Sequence, residues 1–85
     1  MKPLSDIINH LKLVIEDVSL GKVNRNDING DSVLLDLGID SLDFASIMLA
    51  GETFVSSKVD ENGIDWRNIQ TVTQLAELLY RCQKL

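Results

Sequence analysis

Positions 37–56 read LGIDSLDFASIMLAGETFVS, which is typical of a helix that is preceded by its own cap. The side chain of Asp40 can accept a hydrogen bond from the free backbone N–H groups of a first helical turn. Asp43, three residues later, resembles the returning acid of a capping box, and both acids suit the positive end of the helix dipole. The pattern therefore predicts a helix from about Ser41 to Ser56.

This helix carries apolar residues on two nearly opposite sides, because each residue turns the chain by about 100°. The first stripe comprises Phe44, Ile47, Met48, Gly51 and Val55. The second stripe comprises Leu42, Ala45 and Leu49. We expect the first stripe to pack on the core. The second is either covered by a further element or exposed as a docking surface.

Upstream, apolar residues recur at three- and four-residue steps and predict an amphipathic helix over residues 3–20. Pro3 suits its first turn and Gly21 suits the position just past its end. Residues 22–40 then form a long connection, whose apolar residues predict that it packs over the core. Val33, Leu34 and Leu35 could form a short strand, but the sequence offers no second strand to pair with it.

Downstream, Thr71 and Gln74 have the spacing of a second capping box ahead of a helix over residues 72–84. A short helix is expected over residues 64–68, with Trp66 as a core anchor. The fold class predicted is all-α: a small four-helix bundle of three main helices plus a short third helix, with a long loop between helices 1 and 2. Residues 1–85 are expected to form a single domain.

The formal net charge of −5 is concentrated in the centre of the chain. Residues 31–57 hold five acids and no lysine or arginine, while the remainder holds eight acids and eight bases. Such a patch disfavours binding to nucleic acids. It would attract a basic protein surface, or it is simply a solvated acidic face; charge alone leaves both interpretations open.

Few residues could support catalysis or metal binding. His10 is the only histidine and is expected on the surface of the first helix, without a serine or cysteine motif nearby. Cys82 is the only cysteine, so it cannot form an internal disulfide; a small buried hydrophobe is favoured over a reactive thiol. No metal site and no enzymatic activity are therefore predicted. The chain lacks a membrane-spanning run and a signal peptide, which predicts a cytoplasmic protein without membrane contact.

Ser41 lies on the first turn of the central helix, just after Gly38 and Asp40. Helix N-termini carry free N–H groups that favour a phosphate, so a phosphodiester would be stabilised there. From the residues alone, an ordinary first-turn serine is the more frequent case.

The segment LGIDSL at positions 37–42 resembles the phosphopantetheine attachment motif of acyl and peptidyl carrier proteins. Its context also resembles that family, because it follows a long loop and opens the second helix. The start of the last helix, TVTQL at positions 71–75, fits as well, so the resemblance covers nearly the whole chain.

The resemblance implies that Ser41, flanked by Asp40 and Leu42, receives 4′-phosphopantetheine from coenzyme A. A separate, magnesium-dependent phosphopantetheinyl transferase would attach it. The terminal thiol would then carry an acyl or aminoacyl group as a thioester, and the carrier itself would perform no catalysis. The implied partners are this transferase, an acyl- or aminoacyl-loading enzyme and downstream biosynthetic enzymes, which would meet a free-standing monomer. The expected docking residues are Asp43, Ala45, Leu49 and Glu52.

One departure from the family pattern bears on the pathway. Fatty-acid carriers usually have several glutamates along helix 2, whereas here Glu52 is the only acid of that helix after Asp43. The chain therefore looks more like a carrier of nonribosomal peptide or polyketide biosynthesis. The alternatives are a fatty-acid-type acyl carrier protein and a helical interaction domain without a prosthetic group.

Overall fold

The structure is a computed structural model that describes residues 2–59 and 68–83. Within these ranges it contains three α-helices, α1 (Leu4–Val18), α2 (Ser41–Val55) and α3 (Val72–Cys82), and no β-strand. The all-α class is thus confirmed. The short helix predicted over residues 64–68, including Trp66, lies outside the described residues.

The first helix ends two residues earlier than its apolar pattern predicts. After Val18 the chain turns, and Leu20 and Gly21 both adopt left-handed conformations, with φ of 57° and 81°. The Gly21 N–H donates to the carbonyl of Glu16 at 3.0 Å, which satisfies one of the last helical carbonyls. Gly21 therefore lies just past the helix end, as predicted, but Leu20 before it has already left the helical conformation.

The core lies where one face of each helix meets the other two. Side chains from all three helices are fully or nearly fully buried there: Ile7, Leu11 and Ile15 of α1, Ile47, Met48 and Val55 of α2, and Val72, Leu75, Ala76 and Leu79 of α3. Gly51 lets α2 approach α3 closely, because a Cβ at this position would lie 2.5 Å from Cδ1 of Leu79. The first predicted stripe of α2 is thus its core face.

The long loop packs over the core, as predicted, and it also finds a pairing partner that the sequence did not reveal. Val33 forms an isolated antiparallel bridge with Thr71, immediately before α3. Beside it, the Leu34 N–H donates to the carbonyl of Gln70 at 2.8 Å, and the Thr73 N–H donates to that of Gly30 at 3.0 Å. The described residues contain no second strand, as expected, but a single bridge needs no full strand. The loop is therefore fixed shortly before it reaches Ser41.

His10 lies half-buried against α2 instead of on an open surface, which corrects the sequence-based expectation. Its ring stacks on Phe54 with a centroid distance of 4.0 Å and an interplanar angle of 7°. The Nζ atom of Lys2 lies 4.8 Å from the centroid of the same Phe54 ring. Burial lowers the pKa of His10, and the charge of Lys2 lowers it further, against a hydrogen bond with the backbone of Ala50 that raises it.

This lowered pKa predicts that acid weakens the fold through His10. The folded state prefers the neutral imidazole, whereas the unfolded chain protonates it near its ordinary pKa of about 6.5. The stabilising contribution is therefore present above that pH and is lost as the pH falls through the folded-state pKa. We expect the free energy of unfolding to fall more steeply between about pH 7.5 and pH 5 for the wild type than for His10→Gln. Urea unfolding at a series of pH values measures this free energy. If the free energies of the two proteins fell in parallel with pH, the role of His10 would be contradicted.

Candidate functional site

Ser41 is exposed at the first position of α2, and the local structure explains why. Gly38 adopts a left-handed conformation with φ of 80°, which turns the chain after the short 3₁₀ helix Leu35–Leu37. The turn buries Ile39 in the core. The next two residues then leave the core, so that the serine stands at the surface on a fixed helical turn.

Asp40 caps α2 as predicted. Its Oδ1 atom accepts from the backbone N–H of Asp43 at 2.8 Å, and its carbonyl accepts from the N–H of Phe44 at 2.8 Å. The structure shows no returning bond from the Asp43 carboxylate, so only half of the predicted capping box forms at α2. The complete box forms at α3, between Thr71 and Gln74. Since the Asp43 carboxylate takes no part in the cap, its charge remains at the surface beside Ser41.

The second stripe of α2 is exposed, so no further element of the described chain covers it. Leu42 and Leu49 are 78% and 65% exposed, and Ala45 between them is exposed as well. The described part of the chain therefore leaves this side of α2 open. Leu35 adds a further exposed leucine, at 78%, just before the serine. The sequence analysis missed Leu35, because a loop without a regular period gives no signal of which apolar residue faces outward.

An open cleft of about 970 Å³ runs beside Ser41, between α2 and the paired loop segments. The α2 wall carries residues at helical steps of three and four: Ser41, Phe44, Ala45, Met48, Leu49 and Glu52. The opposite wall and the rim consist of Val33, Leu34, Leu35, Ile39, Asp40, Ile69 and Gln70. We call this feature the Ser41 cleft. Its walls are mainly aliphatic and aromatic, so it favours an apolar occupant.

Glu52 has a structural contact that the sequence did not indicate. Its Oε2 atom accepts from the backbone N–H of Val59 at 2.8 Å, which ties the chain after α2 back to that helix. The charge of Glu52, together with burial, raises the pKa of Cys82, with burial the larger cause. The Cys82 thiol also donates to the carbonyl of Leu79 at 3.2 Å. Both effects favour the protonated, less reactive thiol. Cys82 is only half-buried against the core, so the expectation of a small buried hydrophobe holds in part.

The other chemistry-bearing residues lie apart from Ser41. His10 packs against Phe54, thirteen residues further along α2, which corresponds to about 20 Å of helix. Among residues 2–59 and 68–83, no group of three or more His, Cys, Asp or Glu side chains could hold a metal ion. None of the helices in this part of the chain has both the length and the apolar character needed to cross a membrane.

The Ser41 site fits a phosphopantetheine group in two respects. The exposed hydroxyl stands on a first helical turn. The Asp43 N–H of this turn is bound by Asp40, but the amides of residues 41 and 42 have no helical carbonyl as acceptor and favour a phosphodiester. The mainly apolar Ser41 cleft begins at the same residue and offers a surface to a long, flexible substituent. No protein-family profile matches the chain, and no curated protein matches it significantly.

Proposed function

We propose that this chain is an acyl or peptidyl carrier protein, with 4′-phosphopantetheine attached to Ser41. One observation carries the proposal: the serine of the LGIDSL segment stands exposed on the first turn of a capped helix, at the mouth of an apolar cleft. A serine with only a structural role in a helix start would not need this combination of exposure, motif and cleft.

The attachment chemistry requires little of the carrier. Ser41 Oγ attacks the β-phosphorus of coenzyme A, the bond from that phosphorus to the bridging oxygen breaks, and adenosine 3′,5′-bisphosphate leaves. The proton of the hydroxyl passes to a base of the transferase. The cap at Asp40 holds the helix start in place, and the first-turn amides stabilise the resulting phosphodiester. Once bound, the group supplies a thiol that carries acyl or aminoacyl units as thioesters.

The proposal includes further features that follow from the resemblance. The chain would be a single-domain, monomeric, cytoplasmic four-helix bundle, completed by a short helix over residues 64–68. Its partners would be a phosphopantetheinyl transferase, a loading enzyme and downstream enzymes of nonribosomal peptide or polyketide biosynthesis. Exposed leucines at positions 35, 42 and 49 support this pathway over fatty-acid synthesis, because they make the docking face more apolar than acidic.

The same exposed stripe supports a second candidate, a helical interaction domain without a prosthetic group. A mass measurement separates the two. The purified protein is incubated with coenzyme A, magnesium and a promiscuous phosphopantetheinyl transferase. We expect the intact mass to increase by one phosphopantetheine, located on Ser41 by peptide mapping. Absence of any addition would favour the interaction domain, and addition at Ser32 or Ser46 would contradict the site assignment.

Charge beside the serine is expected to affect how fast the transferase modifies it. Asp43 is half-buried and its carboxylate takes no part in the helix cap. Exposed charges near an interface act mainly on the association rate. We expect Asp43→Lys to lower kcat/KM for modification several-fold at about 0.01 M salt and much less at about 1 M, where screening is strong.

Asp17→Lys is the matched control, since it makes the same charge change at an exposed position of α1. Circular dichroism should show that both variants fold. Equal slowing of modification by the two substitutions would mean that net charge, and not the position of Asp43, governs the encounter.

A further inference from the structure

Glu52 lies at the opposite end of the Ser41 cleft from the attachment serine. The two residues are the first and last of the α2 side chains that line it, and they are eleven positions apart. At a rise of about 1.5 Å per residue, they are about 16 Å apart along the helix axis.

This distance matches the reach of the prosthetic group, so the inference rests on the proposed function. The phosphopantetheine chain has about thirteen bonds between phosphorus and sulfur, comparable to four or five peptide residues, and therefore extends to about 15 Å. An arm laid along the Ser41 cleft brings the first atoms of its cargo to Glu52.

The chemistry at that end of the cleft differs from the chemistry of its walls. Leu49 offers exposed apolar surface beside the nearly buried Met48, whereas Glu52 brings a carboxylate that its bond to the Val59 N–H holds in place. Among the described lining residues, Asp40 and Glu52 are the charged ones, and both are acidic. An anionic cargo such as a malonyl group would be repelled here. A plain alkyl group would cover the Glu52 carboxylate without supplying an opposite charge.

We propose that the Ser41 cleft selects an aminoacyl cargo, with Glu52 as the specificity-determining residue. The α-ammonium group of the cargo pairs with the Glu52 carboxylate, while an aliphatic side chain lies on the exposed Leu49, next to Met48. The carboxylate is half-buried, so the pair is partly screened by water and its effect is modest.

The test compares two cargoes that differ only in the amine. A phosphopantetheinyl transferase loads the protein from coenzyme A analogues that carry ¹⁵N-leucyl or 4-methylpentanoyl groups through a stable amide in place of the thioester. NMR follows the ammonium pKa and the methyl signal of Met48. The proteins are the wild type, Glu52→Gln, whose amide oxygen can still accept from Val59, and Asp17→Asn as a control.

We expect the ammonium pKa to be about half a pH unit higher on the wild type than on Glu52→Gln, because an opposite charge favours the protonated amine. Asp17→Asn should match the wild type. The Met48 methyl should shift on leucyl loading, and this shift should diminish in Glu52→Gln. With 4-methylpentanoyl, the Met48 methyl signal should change on loading by the same amount in the wild type and in Glu52→Gln.

Equal ammonium pKa values on the wild type and Glu52→Gln would overturn the inference and leave the carrier assignment intact. If Glu52→Gln fails to fold, the wild type is compared with the same leucyl analogue free in solution, and equal values again overturn it. Failure of the transferase to load either analogue or coenzyme A itself would remove the carrier proposal and this inference together.

Discussion

Ser41→Ala is expected to abolish phosphopantetheine addition while the protein stays folded. The substitution removes the only oxygen at this position that can form the phosphodiester, so no slower route through the same residue remains. The side chain is exposed, and alanine is favourable in a helix, so the fold loses nothing that the serine supplied. Intact-mass analysis after prolonged incubation with the transferase should show no addition, and thermal unfolding should shift by no more than a few degrees.

Ser46→Ala is the matched control for this experiment. Ser46 is also an exposed serine of α2, one and a half turns further on, and it lies outside the LGIDSL segment. The control should be modified at the wild-type rate. Retention of the addition in Ser41→Ala, or its loss in Ser46→Ala, would show that the attachment site is elsewhere.

Gly51→Leu is expected to cause the largest loss of stability among the substitutions considered. A Cβ at position 51 would already lie 2.5 Å from Cδ1 and 3.2 Å from Cδ2 of Leu79, which is fully buried. The remaining leucine atoms would separate α2 from α3. Overpacking a core costs about 1–3 kcal/mol and occasionally more. We expect about 3 kcal/mol here, which lowers the Tm of a domain of this size by roughly 12–24 °C.

Ser46→Leu is the control for Gly51→Leu, because it adds a leucine to α2 at a position where no overpacking can occur. Position 46 is exposed, so the added side chain meets water and leaves the contact between α2 and α3 unchanged. Differential scanning calorimetry should show a Tm close to that of the wild type for this control. Similar Tm values for Gly51→Leu and Ser46→Leu would mean that Leu79 can move aside and that the close approach at Gly51 is not required.

The three helices could be predicted from the sequence because the signals for them are local. Asp40 and Thr71 directly precede the helices that they cap, and each side chain binds an N–H group only three residues further on. The apolar periods of α1 and α3 extend over the whole length of each helix. The apolar pattern predicts the end of α1 two residues too late, because Leu20 continues the pattern although its backbone has left the helix. The spacing of apolar residues indicates which side chains can face the core, but it does not indicate where the backbone dihedral φ leaves the helical range.

The candidate site could be predicted only in part. The motif indicated Ser41, and the spacing of Leu42 and Leu49 predicted a second face of α2 that the structure shows to be exposed. The Ser41 cleft itself depends on the pairing of Val33 with Thr71, and the fixed position of Glu52 depends on Val59. Both contacts join residues whose relation is set by tertiary packing, which no local pattern encodes.

Val33 and Thr71 are separated by 38 positions in the chain, whereas each helix is built from hydrogen bonds four residues apart. Closing such a long loop costs conformational entropy before its contacts contribute any stabilisation. Helical turns therefore form on the microsecond timescale, and the outer wall of the Ser41 cleft forms only in the cooperative step that docks the start of α3 onto the loop. A nascent chain can present its serine on a helix early, but it acquires the cleft beside that serine only when folding is complete.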